Sequence, residues 1–378
     1  MSTLRSLAGS ALLFRNQRTR LPQTLILFVT SRCNARCDFC LYAEQIADPV
    51  AKEAELTVDE YRRIAQHYGP LHYLALSGGE PFVRDDLRGV CQAFVDHCGV
   101  GVVDIPSNFA YAERMVAALE PLATDNPDVV FDIQLSLDHL GEAHDDSRVV
   151  PGLYEKAKAS FRALAAVRAA RPNLKLKISV VHLDRNRDDL PAIAEGIRRD
   201  FDCDRVQLAY ANRVLPPEGD PAEAAEVAAF QEAARVWDQA LPPRDLFDLH
   251  TVGMKSVKGL YGELLADAAH GRRATGEICD AGRIIAVVDE KGDVFGCEPL
   301  WESLGNVREA DYDVGAILAG PEARAWRAKR LGPGRCNCSW GCAIHSHIST
   351  TPRHLPRLGL EAGRIAGRIA ARRLLSGL

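Results

Sequence analysis

Cys33, Cys37 and Cys40 follow one another in Cys-x3-Cys-x2-Cys spacing directly after the apolar run Thr24–Thr30. Thiolates gathered on one short loop can hold three irons of a [4Fe–4S] cluster and leave the fourth iron without a protein ligand. That open iron would be the functional point, because it can bind a second molecule. Structural zinc instead closes its tetrahedron with a fourth Cys or His, and none follows within two dozen residues of Cys40. Ordinary buried thiols are the remaining reading of the same spacing. A second group comprises Cys279, Cys297, Cys336, Cys338 and Cys342. It offers five sulfurs where a closed [4Fe–4S] cluster uses four, and a zinc site on the same residues is the alternative.

The first thiol group, with aromatic Phe39 just before its last cysteine, resembles the signature of the radical S-adenosylmethionine (SAM) superfamily, and Ser77-Gly78-Gly79-Glu80-Pro81 resembles that family's second motif. The resemblance implies a [4Fe–4S] cluster whose open iron chelates the amino and carboxylate groups of SAM. It further implies reductive cleavage of SAM to methionine and a 5′-deoxyadenosyl radical that takes hydrogen from a substrate, fed by a flavodoxin or ferredoxin-type electron donor. Carried onto this chain, Glu80 would accept a hydrogen bond from the SAM amino group, and Gly78 and Gly79 would let backbone approach the cofactor. Ser107, Asn108, Ser136 and Asp138 fall where relatives bind the ribose hydroxyls or the methionyl carboxylate, and Arg148 could pair with that carboxylate. The Ser, Asn and Asp residues read equally as caps of the helices that follow. His182, Gln207 and Tyr210 close the later strands, which face the substrate in this family. His182 could move a proton, but none of the three is singled out as a catalytic base.

From Cys279 through Gly292 to Cys297 the chain resembles the opening of the auxiliary-cluster extension of such enzymes, called SPASM with two clusters and Twitch with one. The closing portion departs from it, since Cys-x-Cys-x3-Cys replaces the longer series and no cysteine follows Cys342. One auxiliary [4Fe–4S] cluster is therefore expected, on Cys279, Cys297 and two of Cys336, Cys338 and Cys342. An auxiliary cluster favours net oxidation or bond formation over redox-neutral rearrangement.

The elements that must position these groups are legible. Six apolar, branched runs recur at Leu25–Thr30, Tyr73–Ser77, Val102–Ile105, Phe131–Leu137, Leu176–Val181 and Val206–Ala209. Near-continuous apolar character suits strands covered on both faces, hence a parallel sheet. Helical patterns lie between them, one opened by a capping box at Thr57 and Glu60. Right-handed strand-to-helix repeats give an α/β fold, an open, partial (β/α)6 barrel of the TIM type, with functional groups at the carboxyl ends of the strands. The stretch 216–221 is rich in Pro and Gly and marks a boundary. Arg283–Asp289 and Val294–Cys297 flank a turn at Glu290-Lys-Gly292, which predicts a hairpin. The resulting plan is a basic N-terminal segment over 1–21, the barrel over 22–215, a helical connection over 216–278, the auxiliary domain over 279–345 and a basic amphipathic helix over 346–378.

Composition bounds the rest. The chain has 378 residues, a formal charge of -5 and eleven cysteines, eight of them in the two groups. That suits a globular enzyme of a reducing, cytoplasmic compartment and gives no reason to expect nucleic acid as partner. Cys91, Cys98 and Cys203 read as inert core thiols. The arginine-rich ends could lie on an anionic membrane or pack on the barrel with their arginines in water. The substrate stays open between a small molecule, a peptide and a lipid-linked compound. A non-enzymatic iron-sulfur carrier or sensor is the reading from another class.

Overall fold

The computed structural model describes residues 21–240, 249–272, 279, 281–331 and 335–376. The basic segment expected over 1–21 lies almost wholly outside the described residues. The first six strands are β1 (Thr24–Phe28), β2 (Tyr73–Ser77), β3 (Val102–Ser107), β4 (Val130–Ser136), β5 (Leu174–Val181) and β6 (Arg205–Ala209). They pair in parallel in that order. Each is followed by helical chain, so every connection is a crossover and the helices cover one face of the sheet. The helix Val58–Tyr68 begins with the expected capping box between Thr57 and Glu60.

Alternation within the strands explains the two faces. Leu74, Leu76, Val103, Ile105, Phe131, Ile133, Leu135, Leu176, Ile178, Val180, Val206 and Leu208 are all buried and pack against the helices as the main core. The opposite parity carries Tyr73, Ser77, Asp104, Gln134, Ser136, Lys177, Ser179, Arg205 and Gln207, a polar inner face.

After β6 the chain makes β7 (Val214–Leu215), then two long helices, Pro221–Ala240 and Leu249–Ala269. The expected hairpin forms as β8 (Ile285–Val288) and β9 (Asp293–Phe295), antiparallel in register Val288↔Val294, and β10 (Ser303–Asn306) adds to β9. Its placement was not foreseen. Strand β8 pairs in parallel with β1, Leu25 opposite Ala286, so the auxiliary segment continues the barrel sheet as nine strands ordered β10-β9-β8-β1-β2-β3-β4-β5-β6. All four residues of β8 are buried, and they cover what would otherwise be a bare apolar edge of β1.

The last strand, β11 (Asn337–Cys338), pairs with β7. It leads into the helix Gly341–Thr350 and then the helix Leu355–Ser376. The latter lies along Leu249–Ala269, with Arg357 paired to Glu263 at 2.7 Å and Leu358 against the core. Among the described residues no helix is long and apolar enough to cross a membrane.

Candidate active site

The cysteine loop leaves β1 at its carboxyl end and is fastened at several points. Arg32 makes a two-pronged ion pair with buried Glu55, both contacts at 2.9 Å. The backbone of Gly79 donates to the Thr30 carbonyl at 2.7 Å, and that of Glu80 donates to the Arg32 carbonyl at 3.0 Å. Farther along, the Asn108 amide donates to Asn34 Oδ1 at 2.8 Å, and Arg36 N–H donates to the Arg148 carbonyl at 3.0 Å. Arg32, Asn34 and Glu55 were missed by sequence reasoning. A cap-like Asn between two cysteines was the available signal for Asn34, whereas nothing local marks Glu55.

This anchoring gathers the three sulfurs. Backbone N–H groups of Ala35 and Tyr42 point at the sulfurs of Cys33 and Cys40, at 3.3 and 3.4 Å. Burial pushes the Cys33 thiol up to about 12 and also raises Cys37 and Cys40, whereas the cation of Arg148 pulls the last two down. A thiolate in such a place needs a positive partner, which iron would supply.

Arg148 is nine-tenths buried and donates to Asp138 at 2.5 Å, and its Nε lacks a partner. The guanidinium groups of Arg185 and Arg148 stand 5.0 and 5.8 Å from the centre of the Phe39 ring. Arg148 is thus already paired with a carboxylate of the chain itself. Glu80 is similarly engaged. Its carboxylate accepts from Ser107 Oγ and Asn108 N at 2.8 Å and from Phe82 N at 3.2 Å, and burial raises its pKa. Three of about four acceptor positions of a carboxylate are filled, leaving one for an ammonium donor.

Gly78 and Gly79 admit the close approach of the cysteine loop. A Cβ on Gly78 would meet the Thr30 carbonyl oxygen at 2.3 Å, and its φ is +116°. The glycines let two backbones touch, and that contact sets the cysteine loop over the sheet. Ser77 and Ser136 close β2 and β4 on the inner face, half-buried, and Asp138 lies two residues beyond Ser136.

Of the three residues read as facing substrate, Gln207 lies on the polar inner face of the sheet. It shares the inner face with Ser179 and Gln134, at 3.0 and 3.3 Å. Tyr210 stands three residues along, on the other face, where its hydroxyl donates to Glu223 at 2.9 Å and its ring packs against Phe230. His182 is likewise buried beside Phe230. Both side chains pack toward the helix Pro221–Ala240.

At the other thiol group, Cys279, Cys297, Cys336 and Cys338 line one apolar cavity with Trp326, Trp340, Leu300 and Leu331. The Cys336–Cys342 segment is stitched to the chain after β6: Ser339 Oγ donates to the Ala211 carbonyl at 2.7 Å, and Asn337 Nδ2 donates to the Pro216 and Ala268 carbonyls at 2.8 and 2.7 Å. Cys342 does not line that cavity. It is exposed, and its surroundings are Glu298, Asp104 and Lys177, on the inner face of the sheet. Among the described residues no three His, Cys, Asp or Glu groups converge on one point as ligands of a single metal ion would. Four sulfurs around a cavity fit the corners of a cubane better than the closed tetrahedron of zinc.

The radical SAM superfamily profile matches residues 27–197, from β1 through the helix after β5. Residues 27–197 thus carry a radical SAM domain. Among its relatives, the mycofactocin maturase MftC of Mycobacterium ulcerans (strain Agy99) is 26% identical over 285 residues, covering 73% of this chain and 68% of the relative. The AdoMet-dependent heme synthase of Methanosarcina barkeri (strain Fusaro / DSM 804) is 24% identical over 305 residues, 78% of this chain and 82% of the relative. In fold, the chain is similar to native anSMEcpe with bound AdoMet, with a TM-score of 0.58 and 14% identity over 90% of this chain and 99% of that one. It is also similar to Streptococcus suis SuiB bound to precursor peptide SuiA, with a TM-score of 0.57 and 14% identity over 86% and 72% of the two chains. The barrel is thus that of a radical SAM enzyme, whose superfamily uses a [4Fe–4S] cluster and SAM.

Proposed function

We propose that this radical SAM enzyme modifies a peptide, using one SAM-binding [4Fe–4S] cluster on Cys33, Cys37 and Cys40 and one auxiliary [4Fe–4S] cluster on Cys279, Cys297, Cys336 and Cys338. The observation that carries the reading is the pair of sulfur sets in one fold, one on the loop after β1 beside Glu80 and Arg148 and the other around an apolar cavity between the end of β9 and β11. A peptide substrate is supported by the likeness to a mycofactocin maturase and, in fold, to a structure bound to its precursor peptide.

When bound, the first cluster and SAM supply a carbon radical able to remove hydrogen from an unactivated position. The residues of the chain do the rest. Asn34, Arg32 and Glu55 fix the loop, and the N–H groups of Ala35 and Tyr42 stabilise charge on two sulfurs. Glu80 offers an acceptor to an amino group, and Arg148 places a buried cation beside Cys37 and Cys40. A substrate would lie against the polar inner face, where exclusion of bulk water protects a radical. The auxiliary cluster is suited to take an electron from a substrate radical, which favours net oxidation or bond formation. A flavodoxin or ferredoxin-type protein is the expected donor to the first cluster.

The test is anaerobic reconstitution followed by SAM and dithionite. Release of 5′-deoxyadenosine, abolished when Cys33, Cys37 and Cys40 are changed together to Ala, supports the reading. Iron-loaded protein that leaves SAM intact refutes it and favours an electron carrier.

A further inference from the structure

The inner face of the sheet carries a polar ladder that none of the cluster chemistry uses. At its lower level, Lys177 bridges Asp104 at 2.7 Å and Asp132 at 3.4 Å, Arg205 pairs with Asp132, and the Tyr73 hydroxyl donates to Asp104. Lys177, Asp132 and Arg205 are all buried. Two carboxylates face two cations, so the layer carries no net charge. Its charges balance, so an ionic group of substrate meets no uncompensated charge there, and burying such a group against it would be costly.

The next level toward the cysteine loop is uncharged. Gln207 on β6 donates through Nε2 to Ser179 Oγ on β5 and to Gln134 Oε1 on β4, at 3.0 and 3.3 Å. Among the described residues, the Gln134 amide nitrogen and the Gln207 amide oxygen have no partner. One donor and one acceptor therefore stand side by side. If both amides are turned over, the roles exchange and one of each still remains. A carboxamide or peptide bond presents the complementary C=O and N–H, whereas a carboxylate has no donor at neutral pH.

We propose that Gln134, Ser179 and Gln207 form a subsite for a neutral amide of the substrate, a peptide bond or an Asn or Gln side chain, seated above the self-neutralised Asp104–Lys177–Asp132–Arg205 layer. This rests on the peptide reading above and narrows it, because an acidic or basic residue is disfavoured at this position. Cys342 supplies a reporter. The residue is exposed, and its thiol, raised in pKa by burial, feels the charges of Asp104 and Lys177, so a molecule held on the ladder shields it.

The experiment uses cluster-loaded enzyme with SAM and two blocked peptide probes, acetyl-Ala-Asn-methylamide and acetyl-Ala-Asp-methylamide, and follows N-ethylmaleimide labelling of Cys342 by peptide mapping. The Asn probe is expected to slow labelling at a concentration where the Asp probe needs about tenfold more for the same protection, the discrimination of a site built for hydrogen bonding. Gln207→Glu should remove that preference, whereas Gln207→Asn keeps part of it. Equal protection by both probes, protection by neither, or a Cys342 that does not label at all overturns the subsite. Labelling is read separately from 5′-deoxyadenosine release, so loss of SAM cleavage with intact protection would fault the radical reading and leave the subsite standing.

Discussion

A Cβ on Gly79 would stand 2.3 Å from the carbonyl oxygen of Arg32, so the turn after β2 and the start of the cysteine loop touch backbone to backbone. The obstacle is backbone and cannot swing aside. Gly79→Ala should therefore displace the loop and impair the first cluster while sparing the second. Iron per chain after reconstitution is expected to fall from about eight to about four. Full loading of the variant would show that the contact is dispensable.

Arg148 and Asp138 are both buried and paired at 2.5 Å. Arg148→Met strands the Asp138 carboxylate and should cost about 3–5 kcal/mol in chemical denaturation of the apoprotein. Double replacement with Asp138→Asn should restore much of that loss. The double variant still lacks the cation beside Cys37 and Cys40, so its iron loading should require higher pH than the parent. A stability unchanged by Arg148→Met would mean that the pair contributes little.

The five thiols of the second group should separate cleanly. Cys338→Ser is expected to lose about four irons and Cys342→Ser none, read by metal analysis with the electron paramagnetic resonance of the reduced protein. Gly296→Ala should mimic Cys338→Ser in part, because its Cβ would meet the Trp326 ring at 2.4 Å beside the cysteine-lined cavity.

Stability of the apoprotein should fall at both extremes of pH. His144 is buried and neutral, its pKa brought down to about 2 by burial and then by the cation of Arg148. The unfolded chain binds the proton that the fold refuses, so this contribution is lost as pH falls below about 6.5. Burial pushes the Cys91 and Cys98 thiols up to about 12 from 9.0. Here the fold holds protons that the unfolded chain releases, and stability declines as pH rises above about 9, by up to about 1.4 kcal/mol per thiol per unit. Denaturation midpoints across pH test both arms. His144→Phe should flatten the acid arm if the ring packs without loss.

The strands, the capped helix and the hairpin were readable because each announces itself through a local period or turn. Partnership was not, and β8 beside β1 is the main instance, since no residue of Ile285–Val288 names the strand it will join. Tyr210 illustrates a signal present but unused. It stands three residues beyond Gln207, an odd interval that turns the two side chains to opposite faces of a strand, so only one could look inward. Cys342 is the reverse case. Its spacing from Cys338 resembles a ligand series, and only the path of the chain after β11 carries it to the inner face.

One strand touches both metal-ready regions. Tyr42, just past Cys40, donates its hydroxyl hydrogen to Glu290 in the β8–β9 turn, and its ring packs on Phe28 of β1 and on Trp301. Genetic dissection is constrained by this arrangement. A fragment ending before Cys279 would keep the whole catalytic signature yet leave Leu25–Phe28 with an open, oily flank, a template for edge-to-edge polymerisation in place of a free-standing minimal enzyme.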